Sequence, residues 1–245
     1  MTTLIEAVDQ VLGVQAASGK PLAIIVAGHN GSGKSTMWNQ HLAPGLQMPL
    51  INADRMMLSI LPEPKGRFLT PWAQKLRDED ENWMAVAQQG VDAFIVQAMS
   101  RGVRFATETV FSHWQDRGDG TFASKIDRII QLQESGYFVL LLFVGLTDAQ
   151  LSIGRVMTRV ASGGHDVKVN RLLDRFPRTQ KAINAALAVA DASILMDNSR
   201  TLDQAFTVCR VQVGDEEVYD LRTAQALVPA EILPWLDIVS PRDAA

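Results

Sequence analysis

The chain has 245 residues, a net charge of −4, 47% hydrophobic and 20% charged residues, and a single cysteine. This length suits one large domain, or one domain with appendages, and the composition excludes a chain that is disordered throughout. The longest apolar run, residues 137–146, is about half of what a membrane-crossing helix needs. The amino terminus lacks the basic and apolar regions of a secretion signal, and one cysteine forms no intrachain disulfide, so we expect a cytoplasmic protein with no membrane partner.

The positive charge is concentrated in one segment of the chain. Residues 155–181 contain seven Lys or Arg and two Asp, a net charge of +5, so the remainder carries −9. A local basic segment on an acidic protein favours a single anionic ligand, whereas long nucleic acid needs basic charge spread over a face. We therefore expect no nucleic-acid partner.

Strand and helix patterns alternate in the first half of the chain. The run LAIIVA at residues 22–27 is short, continuous and rich in β-branched residues, as in a strand buried on both faces. In chain order we predict a helix over 4–17, this strand, a glycine-rich turn with a helix to about 42, a short strand in MPLINA at 48–53, a loop over 62–70, and one long helix or two shorter ones from Pro71 to about Arg101.

The same alternation continues in the second half. The acidic run at residues 78–81 is interpreted as a solvated turn or helix face, Thr147 with Gln150 matches a capping box, and Pro177 is a candidate helix break. In chain order we predict a strand over 104–109, a helix over 124–134, the strongest strand over 137–144, a helix from the capping box to 162–164, a helix over 170–189, a strand at 193–196, a hairpin over 207–219 and a Pro-interrupted tail.

Strands that alternate with helices predict an α/β fold with a mainly parallel, five-stranded sheet flanked by helices. No linker is evident, so we expect residues 1–245 to form one domain. Its core would span about residues 20–200, and a C-terminal extension of about residues 201–245 would carry the small hairpin and the tail.

A phosphate-binding loop is the firmest functional signal. Residues 28–35, GHNGSGKS, match G-x-x-x-x-G-K-[ST] between a buried strand and a helix, where backbone N–H groups converge on an anion. Lys34 is predicted to reach the β- and γ-phosphates and Ser35 to bind Mg²⁺. An ordinary glycine turn is the alternative. The predicted nucleotide-binding residues of this loop are Gly28, Asn30, Gly31, Ser32, Gly33, Lys34, Ser35 and Thr36.

The loop alone does not choose between a kinase, a GTPase and a motor ATPase. The chain has no N-K-x-D sequence for guanine recognition, and its strongest strand ends in Val-Gly rather than in acidic residues. Both observations lower the GTPase and motor interpretations.

Four segments carry a family resemblance: IIVAGHNGSGKST (24–36), INADR (51–55), FATETVFS (105–112) and RVMTRVASGGHDVKVNRLLDRFPRT (155–179), followed by ADASILMDNS (190–199). Over about residues 25–200 the chain resembles the zeta-toxin family of P-loop kinases. The resemblance implies a P-loop kinase-like three-layer sandwich that uses ATP and Mg²⁺ to phosphorylate a hydroxyl. Characterised members act on UDP-N-acetylglucosamine, so it also implies a nucleotide-sugar substrate, an antitoxin as candidate partner, and toxicity as a hypothesis.

Two acidic positions match the family's catalytic segments. By resemblance Asp54 is the catalytic base, and its place beyond the second strand, at the carboxyl edge of the sheet, suits a group that accepts a hydroxyl proton. An N-cap role is its alternative. Glu108 and Thr109 match the family's Glu-Thr pair, where Glu108 would hold Mg²⁺ or orient the acceptor and Thr109 would contact it; a polar strand end is the alternative.

The basic segment matches the family's lid. Arg155 and Arg159 are four residues apart, as are Arg171 and Arg175, and guanidinium groups suit the transferring phosphoryl group. We favour Arg159 and Arg171 as phosphate contacts, with Arg155 and Arg175 next, and we expect a hinge at Gly163–Gly164. A solvated basic helix face is the alternative, and the register of the arginines stays open.

Other interpretations remain open at this point. The acceptor could be another small metabolite or an antibiotic, and the chain could be an ATP-dependent binding module without catalysis or a nucleic-acid ATPase. Asp197–Asn198 lies where such kinases place the adenine-side loop, but a turn or helix cap is favoured there. The C-terminal extension has no counterpart in the family pattern.

Overall fold

A seven-stranded sheet runs through the middle of the protein, for which a computed structural model describes residues 2–64, 66, 68–224 and 228–242. The strands are β1 (Leu22–Gly28), β2 (Leu50–Ile51), β3 (Phe105–Thr109), β4 (Trp114–Asp116), β5 (Phe122–Ser124), β6 (Phe138–Gly145), β7 (Ala192–Asp197), β8 (Thr207–Val213) and β9 (Glu216–Asp220). Their order in the sheet is β2-β3-β1-β6-β7-β8-β9, and a separate hairpin pairs β4 with β5.

The predicted α/β class is confirmed, but the predicted number of five strands is wrong. The first five strands in the order are parallel, and β8 and β9 add to the same sheet as antiparallel strands. The hairpin that we expected as an appendage is therefore part of the core, with Val208, Cys209 and Val211 buried. Its alternating pattern identifies a hairpin but does not specify which strand it pairs with.

Helices cover both faces of the sheet and give the expected three layers. The helices are α1 (Leu4–Ser18), α2 (Lys34–Met37), the π-helix Trp38–Leu42, α3 (Ala43–Leu46), α4 (Ala53–Ser59), α5 (Pro71–Glu79), α6 (Glu81–Ser100), α7 (Ile126–Glu134), α8 (Ala149–Ala161), α9 (Val169–Leu187) and α10 (Ile232–Val239). One face of the sheet packs against α1, α2 and the π-helix, and the other packs against α6, α7, α9 and α10. Within the described ranges, no helix has the length and apolarity to cross a membrane.

Two local predictions about helices are wrong. Helix α8 is capped by Asp148, whose Oδ1 accepts from the Gln150 amide at 2.8 Å, whereas the Thr147 amide donates to Ser199 Oγ at 2.8 Å. Pro177 lies inside α9 and does not end it. Proline has no N–H, so the carbonyl of Leu173, four residues earlier, lacks its helical hydrogen bond. Both residues lie on an exposed face of α9, where water can bond to that carbonyl.

The C-terminal helix α10 supports the carboxyl end of β6. Trp235 of α10 stacks on Phe143 with ring centroids 6.1 Å apart, and a Cβ placed on Gly145 would lie 2.0 Å from the Trp235 ring. The predicted tail therefore includes a packed helix, although its residues 225–227 and 243–245 lie outside the described part of the chain.

An aromatic column connects α10 with the phosphate loop. Phe143 meets His29 edge to face at 5.7 Å, and His29 stacks on Phe176 of α9 at 3.9 Å. His29 is 2% exposed. Burial, together with the nearby charge of Lys34, lowers the pKa of His29 to about 3, so this imidazole is neutral in the folded protein at ordinary pH.

Gly145→Ala tests the docking of α10. The added methyl group overlaps the Trp235 ring, which Phe143 backs, so we expect a loss of about 1–3 kcal/mol in the free energy of unfolding. Urea denaturation measures it. Gly13→Ala is the matched control, because a Cβ at Gly13 of α1 meets nothing within 4 Å. Equal stability of Gly145→Ala and wild type would contradict this packing.

His29→Phe tests the buried neutral imidazole. Between pH 6.5 and about 3 the unfolded chain binds a proton at His29 and the folded protein does not, so stability falls as the pH falls. We expect the phenylalanine variant to lose stability less steeply below pH 6.5, by up to about 1.4 kcal/mol per pH unit. Urea unfolding from pH 7 to 4 measures both slopes; parallel slopes would show that His29 titrates alike in both states.

Candidate active site

The phosphate loop follows β1 and enters α2, as its motif predicts. Gly33 has a φ of 92°, and a Cβ there would lie 2.7 Å from Asn198 Nδ2. Gly31 has a φ of 72°, and a Cβ there would lie 3.1 Å from the Arg155 Cβ. Both positions combine left-handed backbone with close neighbours, which only glycine accommodates without strain.

Lys34 lies at the centre of the loop. Its Nζ donates to the carbonyl oxygens of Gly28 and His29, both at 3.0 Å, and the residue is 8% exposed. Burial lowers the pKa of Lys34, while the charges of Glu108 and Asp54 act in the opposite direction. The loop therefore holds a buried ammonium group where phosphate oxygens would replace carbonyl oxygens as its partners.

Two side chains that the sequence did not identify brace the loop. Ser152 Oγ of α8 donates to the Asn30 carbonyl at 2.7 Å, and Asn198 Nδ2 donates to the Ser32 carbonyl at 2.8 Å. Asn198 was predicted only as part of a turn or cap, and its place directly after the last parallel strand was the available signal. Ser32 is buried, whereas Thr36 faces solvent at the start of α2.

Glu108 joins the phosphate loop to the segment after β2. Ser35 Oγ donates to the Glu108 carboxylate and lies 3.0 Å from both of its oxygens, and Asn52 Nδ2 donates to Glu108 Oε2 at 2.8 Å. Asn52 also caps α4, since its Oδ1 accepts from the Arg55 amide at 3.1 Å. The cap of α4 is therefore Asn52, and Asp54 stands exposed in the first turn.

Thr109 ends β3 beside Glu108. Its Oγ1 accepts from the Phe111 amide at 3.2 Å, and Phe111 has a φ of 63°. Thr109 thus shapes the turn that leaves the sheet. It also lines the pocket described below.

Asp54 lies within electrostatic reach of three cationic side chains. Burial lowers the pKa of Arg159 and of Arg175, and the Asp54 charge opposes that lowering in both, as it does for Lys34. The Glu108 charge acts on Arg159 in the same way. Lys34, Asp54, Glu108 and Arg159 therefore share one electrostatic environment, and Asp54 also extends it to Arg175.

The remaining two arginines of the lid are placed differently. Arg155 contacts the loop near Gly31, whereas Arg171 forms an ion pair with Glu81 at 3.0 Å on the exposed surface. Arg159 Nη2 donates to the His165 carbonyl at 2.7 Å. The buried Arg159 Nε has no hydrogen-bond partner among the residues that the structure describes.

The expected hinge at Gly163–Gly164 is tied to α5. The Arg77 guanidinium, 4% exposed, donates at 3.0 Å to the carbonyls of both glycines and forms a bidentate pair with Asp78. His165 Nδ1 lies 2.9 Å from Asp78 Oδ1. The acidic run was predicted to be solvated, but its first residue, Asp78, is largely covered by this contact with His165, which lies 87 residues further along the chain.

Asp78 stays ionised in this cluster. Burial raises the pKa of Asp78, but the hydrogen bonds and charge of Arg77, together with His165, outweigh burial and leave that pKa below its ordinary value. The cluster fixes the turn between α8 and α9, and with it the helices that carry the lid arginines.

A pocket opens on the other side of Glu108. It lies between the sheet and α6 and is open to solvent. Strands β1 and β3, helix α6 and the starts of α4 and α7 form its walls. Its lining residues are Ile25, Ala53, Gln88, Val91, Asp92, Ile95, Thr107, Glu108, Thr109, Phe111, Lys125 and Arg128.

The sequence and the fold are similar to those of known proteins. An uncharacterized protein of Haemophilus influenzae is 28% identical over 143 residues, which are 58% of this chain and 84% of that protein. The AvrRxo1-ORF1:AvrRxo1-ORF2 complex, solved with sulphate ions, is similar with a TM-score of 0.59 at 17% identity, covering 97% of this chain and 70% of that chain. The structure of the same complex with ATP gives a TM-score of 0.59 at 15% identity, with the same coverage.

The PezAT chromosomal toxin-antitoxin system of Streptococcus pneumoniae is also similar, with a TM-score of 0.54 at 15% identity over 100% of this chain and 90% of that chain. At these identities the solved structures establish a shared fold. A sequence model of the Zeta toxin family matches residues 8–220, most of the chain. The chain therefore belongs to the zeta toxin family of P-loop, ATP-dependent kinases.

Proposed function

We propose that the protein transfers the γ-phosphoryl group of ATP to a hydroxyl of a nucleotide sugar, with UDP-N-acetylglucosamine as the favoured acceptor. The observation that carries the proposal is the position of Glu108, which accepts from Ser35 of the phosphate loop and also lines the adjoining pocket. A donor at the loop and an acceptor in the pocket would meet at this carboxylate. Membership of the zeta toxin family supports the choice of acceptor.

Asp54 is the proposed base. It stands exposed one residue after Ala53, which lines the pocket. Its carboxylate would take the proton of the acceptor hydroxyl as that oxygen bonds to the γ-phosphorus and the bridging oxygen leaves with ADP. Lys34, Arg159 and Arg175 would stabilise the charge on the transferring group, since cations held in place by the protein do so without reorganisation.

Mg²⁺ fits the residues beside the loop. The Ser35 hydroxyl and the Glu108 carboxylate, 3.0 Å apart, are hard oxygen ligands of the kind that Mg²⁺ takes together with phosphate oxygens and water. When bound, the ion would neutralise charge on the β- and γ-phosphates. Asn52 Nδ2 orients the same carboxylate through its 2.8 Å hydrogen bond.

We also propose an antitoxin protein as partner. Two of the structurally similar proteins are described as AvrRxo1-ORF1:-ORF2 and as a toxin-antitoxin system, and the second has a comparable length to this chain, which covers 90% of it. The similarity to a toxin-antitoxin system also supports the proposal that this kinase is toxic. Expressing the wild type beside an inactive variant tests that role, since growth arrest by both would separate toxicity from phosphoryl transfer.

The reaction and its base are tested together with Asp54→Asn. With ATP, Mg²⁺ and UDP-N-acetylglucosamine, we expect the wild type to form a phosphorylated sugar nucleotide detectable by mass spectrometry. The variant should lose about 10²- to 10⁴-fold in kcat, because it cannot accept the proton, while its affinity for ATP stays within a few fold.

Asp9→Asn is the control for this experiment, since Asp9 is an exposed carboxylate on α1. It should react like the wild type. Absence of product despite ATP binding would reject the proposed acceptor and direct the search to other metabolites or to a binding module. Full activity of Asp54→Asn would reject the base.

The lid arginines are distinguished by single replacements with glutamine. Arg159→Gln and Arg175→Gln should each lower kcat by about 10- to 10³-fold, because both guanidinium groups lie within electrostatic reach of Asp54. Arg171→Gln should stay within a few fold of wild type, since Arg171 pairs with exposed Glu81. Steady-state kinetics at saturating ATP measure all three; the opposite ranking would indicate that α9 rotates when substrates bind.

A further inference from the structure

Arg77 of α5 is buried, although it lies outside both the phosphate loop and the lid. Its guanidinium donates to Asp78 at 2.7 and 2.9 Å and to the carbonyl oxygens of Gly163 and Gly164, both at 3.0 Å. A planar guanidinium carries five donors in a fixed geometry, so one group can hold a carboxylate and two carbonyls at once. The contacts with the glycines join α5 to a turn 86 and 87 residues further along the chain, and they fix the position of that turn.

The turn that Arg77 holds is also the partner of Arg159. Arg159 Nη2 donates to the His165 carbonyl at 2.7 Å, and the Gly164 amide donates to the Arg159 carbonyl at 2.9 Å. A Cβ on Gly164 would lie 3.1 Å from Arg159 Cδ and closer still to its Cγ. The turn therefore contacts both the stem and the guanidinium of Arg159, so a displacement of the turn displaces the guanidinium.

His165 provides a second connection between α5 and Arg159. Its Nδ1 lies 2.9 Å from Asp78 Oδ1, and its carbonyl is the one that accepts from Arg159. One connection therefore runs through the glycine carbonyls and the other through the imidazole, and both start from neighbouring residues of α5.

Arg159 lies at the reacting end of the site. The charges of Asp54 and Glu108 act on its guanidinium, and its buried Nε has no hydrogen-bond partner in the part of the chain that the structure describes. A buried donor without a partner is unfavourable, so this nitrogen is available to a phosphate oxygen. Because Asp54 is the proposed base, a phosphate oxygen bound here would belong to the γ-phosphoryl group, which ATP carries and ADP lacks.

We propose that Arg77 is a positioning residue for Arg159. By fixing the turn of residues 163–165, it holds the Arg159 guanidinium where it meets the γ-phosphate, so the preference for ATP over ADP depends on a side chain that touches neither nucleotide. This inference rests on the proposed function, in which Arg159 stabilises the transferring group, and it adds a residue of α5 on which that stabilisation depends. A role of Arg77 in folding alone would affect the binding of ATP and ADP equally.

Calorimetric titration with ADP and with a non-hydrolysable ATP analogue, both with Mg²⁺, tests the proposal without an acceptor. We expect Arg77→Gln to reduce the ratio of the ADP dissociation constant to that of the analogue by about 3- to 30-fold, because Arg159 loses part of a charge-assisted hydrogen bond. The affinity for ADP should stay within a few fold of wild type, which also shows that the variant is folded. Arg178→Gln is the matched control, since Arg178 pairs with Asp174 on the surface of α9.

A double-mutant cycle shows whether Arg77 acts through Arg159. In the Arg159→Gln background, Arg77→Gln should leave the ratio nearly unchanged, because the group that Arg77 positions is gone. In the Arg175→Gln background, Arg77→Gln should reduce the ratio as it does in the wild type. A purely structural role of Arg77 predicts the same loss in all three backgrounds. In the kinase assay, Arg77→Gln should lower kcat and change the acceptor KM little, since Arg159 is proposed to act on the transferring group.

Arg77→Lys provides a second variant at the buried position, should Arg77→Gln not bind ADP. Lysine keeps the charge beside Asp78, but its ammonium cannot hold the carboxylate and both carbonyls in one plane. The ratio should therefore fall in the same direction as for Arg77→Gln and by a smaller factor. A wild-type ratio in folded Arg77→Lys would contradict the positioning role.

Gly164→Ala tests the same coupling with Arg77 and Asp78 in place. Its methyl group would overlap the Arg159 stem and displace the guanidinium, so we expect a similar fall in the ratio. Gly154→Ala is its control, because a Cβ at Gly154 of α8 meets nothing within 4 Å.

The outcomes separate this inference from the proposed function. If Arg77→Gln lowers the ratio only where Arg159 is present, and the wild type makes no phosphorylated UDP-N-acetylglucosamine, the positioning role stands and the proposed acceptor fails. If product forms but Arg77→Gln keeps the wild-type ratio, or lowers it equally in the Arg159→Gln background, the acceptor stands and the positioning role is overturned. A wild type that binds ADP and the analogue alike also overturns it, as does an equal ratio for Gly164→Ala and Gly154→Ala.

Discussion

The site depends on one carboxylate that is shared by three parts of the chain. Glu108 lies opposite Val26 in the parallel pairing of β3 with β1, and this register brings it to the phosphate loop. Its oxygens accept from Ser35 at the start of α2 and from Asn52 at the cap of α4. A slip of one residue between these strands would turn Glu108 to the other face of the sheet and separate all three segments.

The parts of the fold that were predicted correctly have a local cause. Continuous apolar runs give β1 and β6, because both strands are covered on two faces, and the glycines and Lys34 of the phosphate loop are set by its own backbone. The hairpin of β8 and β9 was also recognised as a hairpin. Its place in the sheet was missed because an alternating pattern does not specify that β8 pairs with β7.

The candidate site shows the same division. Glu108 lies among the last residues of β3, and Lys34 and Asp54 come shortly after the ends of β1 and β2. Because the carboxyl ends of parallel strands meet at one edge of the sheet, their convergence could be expected. The sequence could not predict which of the lid arginines lie at the site and which lie on the surface. A spacing of four places Arg171 and Arg175 on the same side of α9, but Leu172 and Phe176 fix the rotation of that helix, and its first turn extends to Glu81.

Buried polar contacts between distant segments were the least predictable feature. Asp78 belongs to an acidic run whose composition argues for solvent exposure, and only the fold brings it to His165. Arg77 donates to the carbonyls of both glycines in the same cluster, so that the turn expected to act as a hinge is held by two hydrogen bonds from one guanidinium. Opening of the turn would keep the Arg77–Asp78 pair but would remove its contacts with the two glycine carbonyls and with His165, which favours the closed turn.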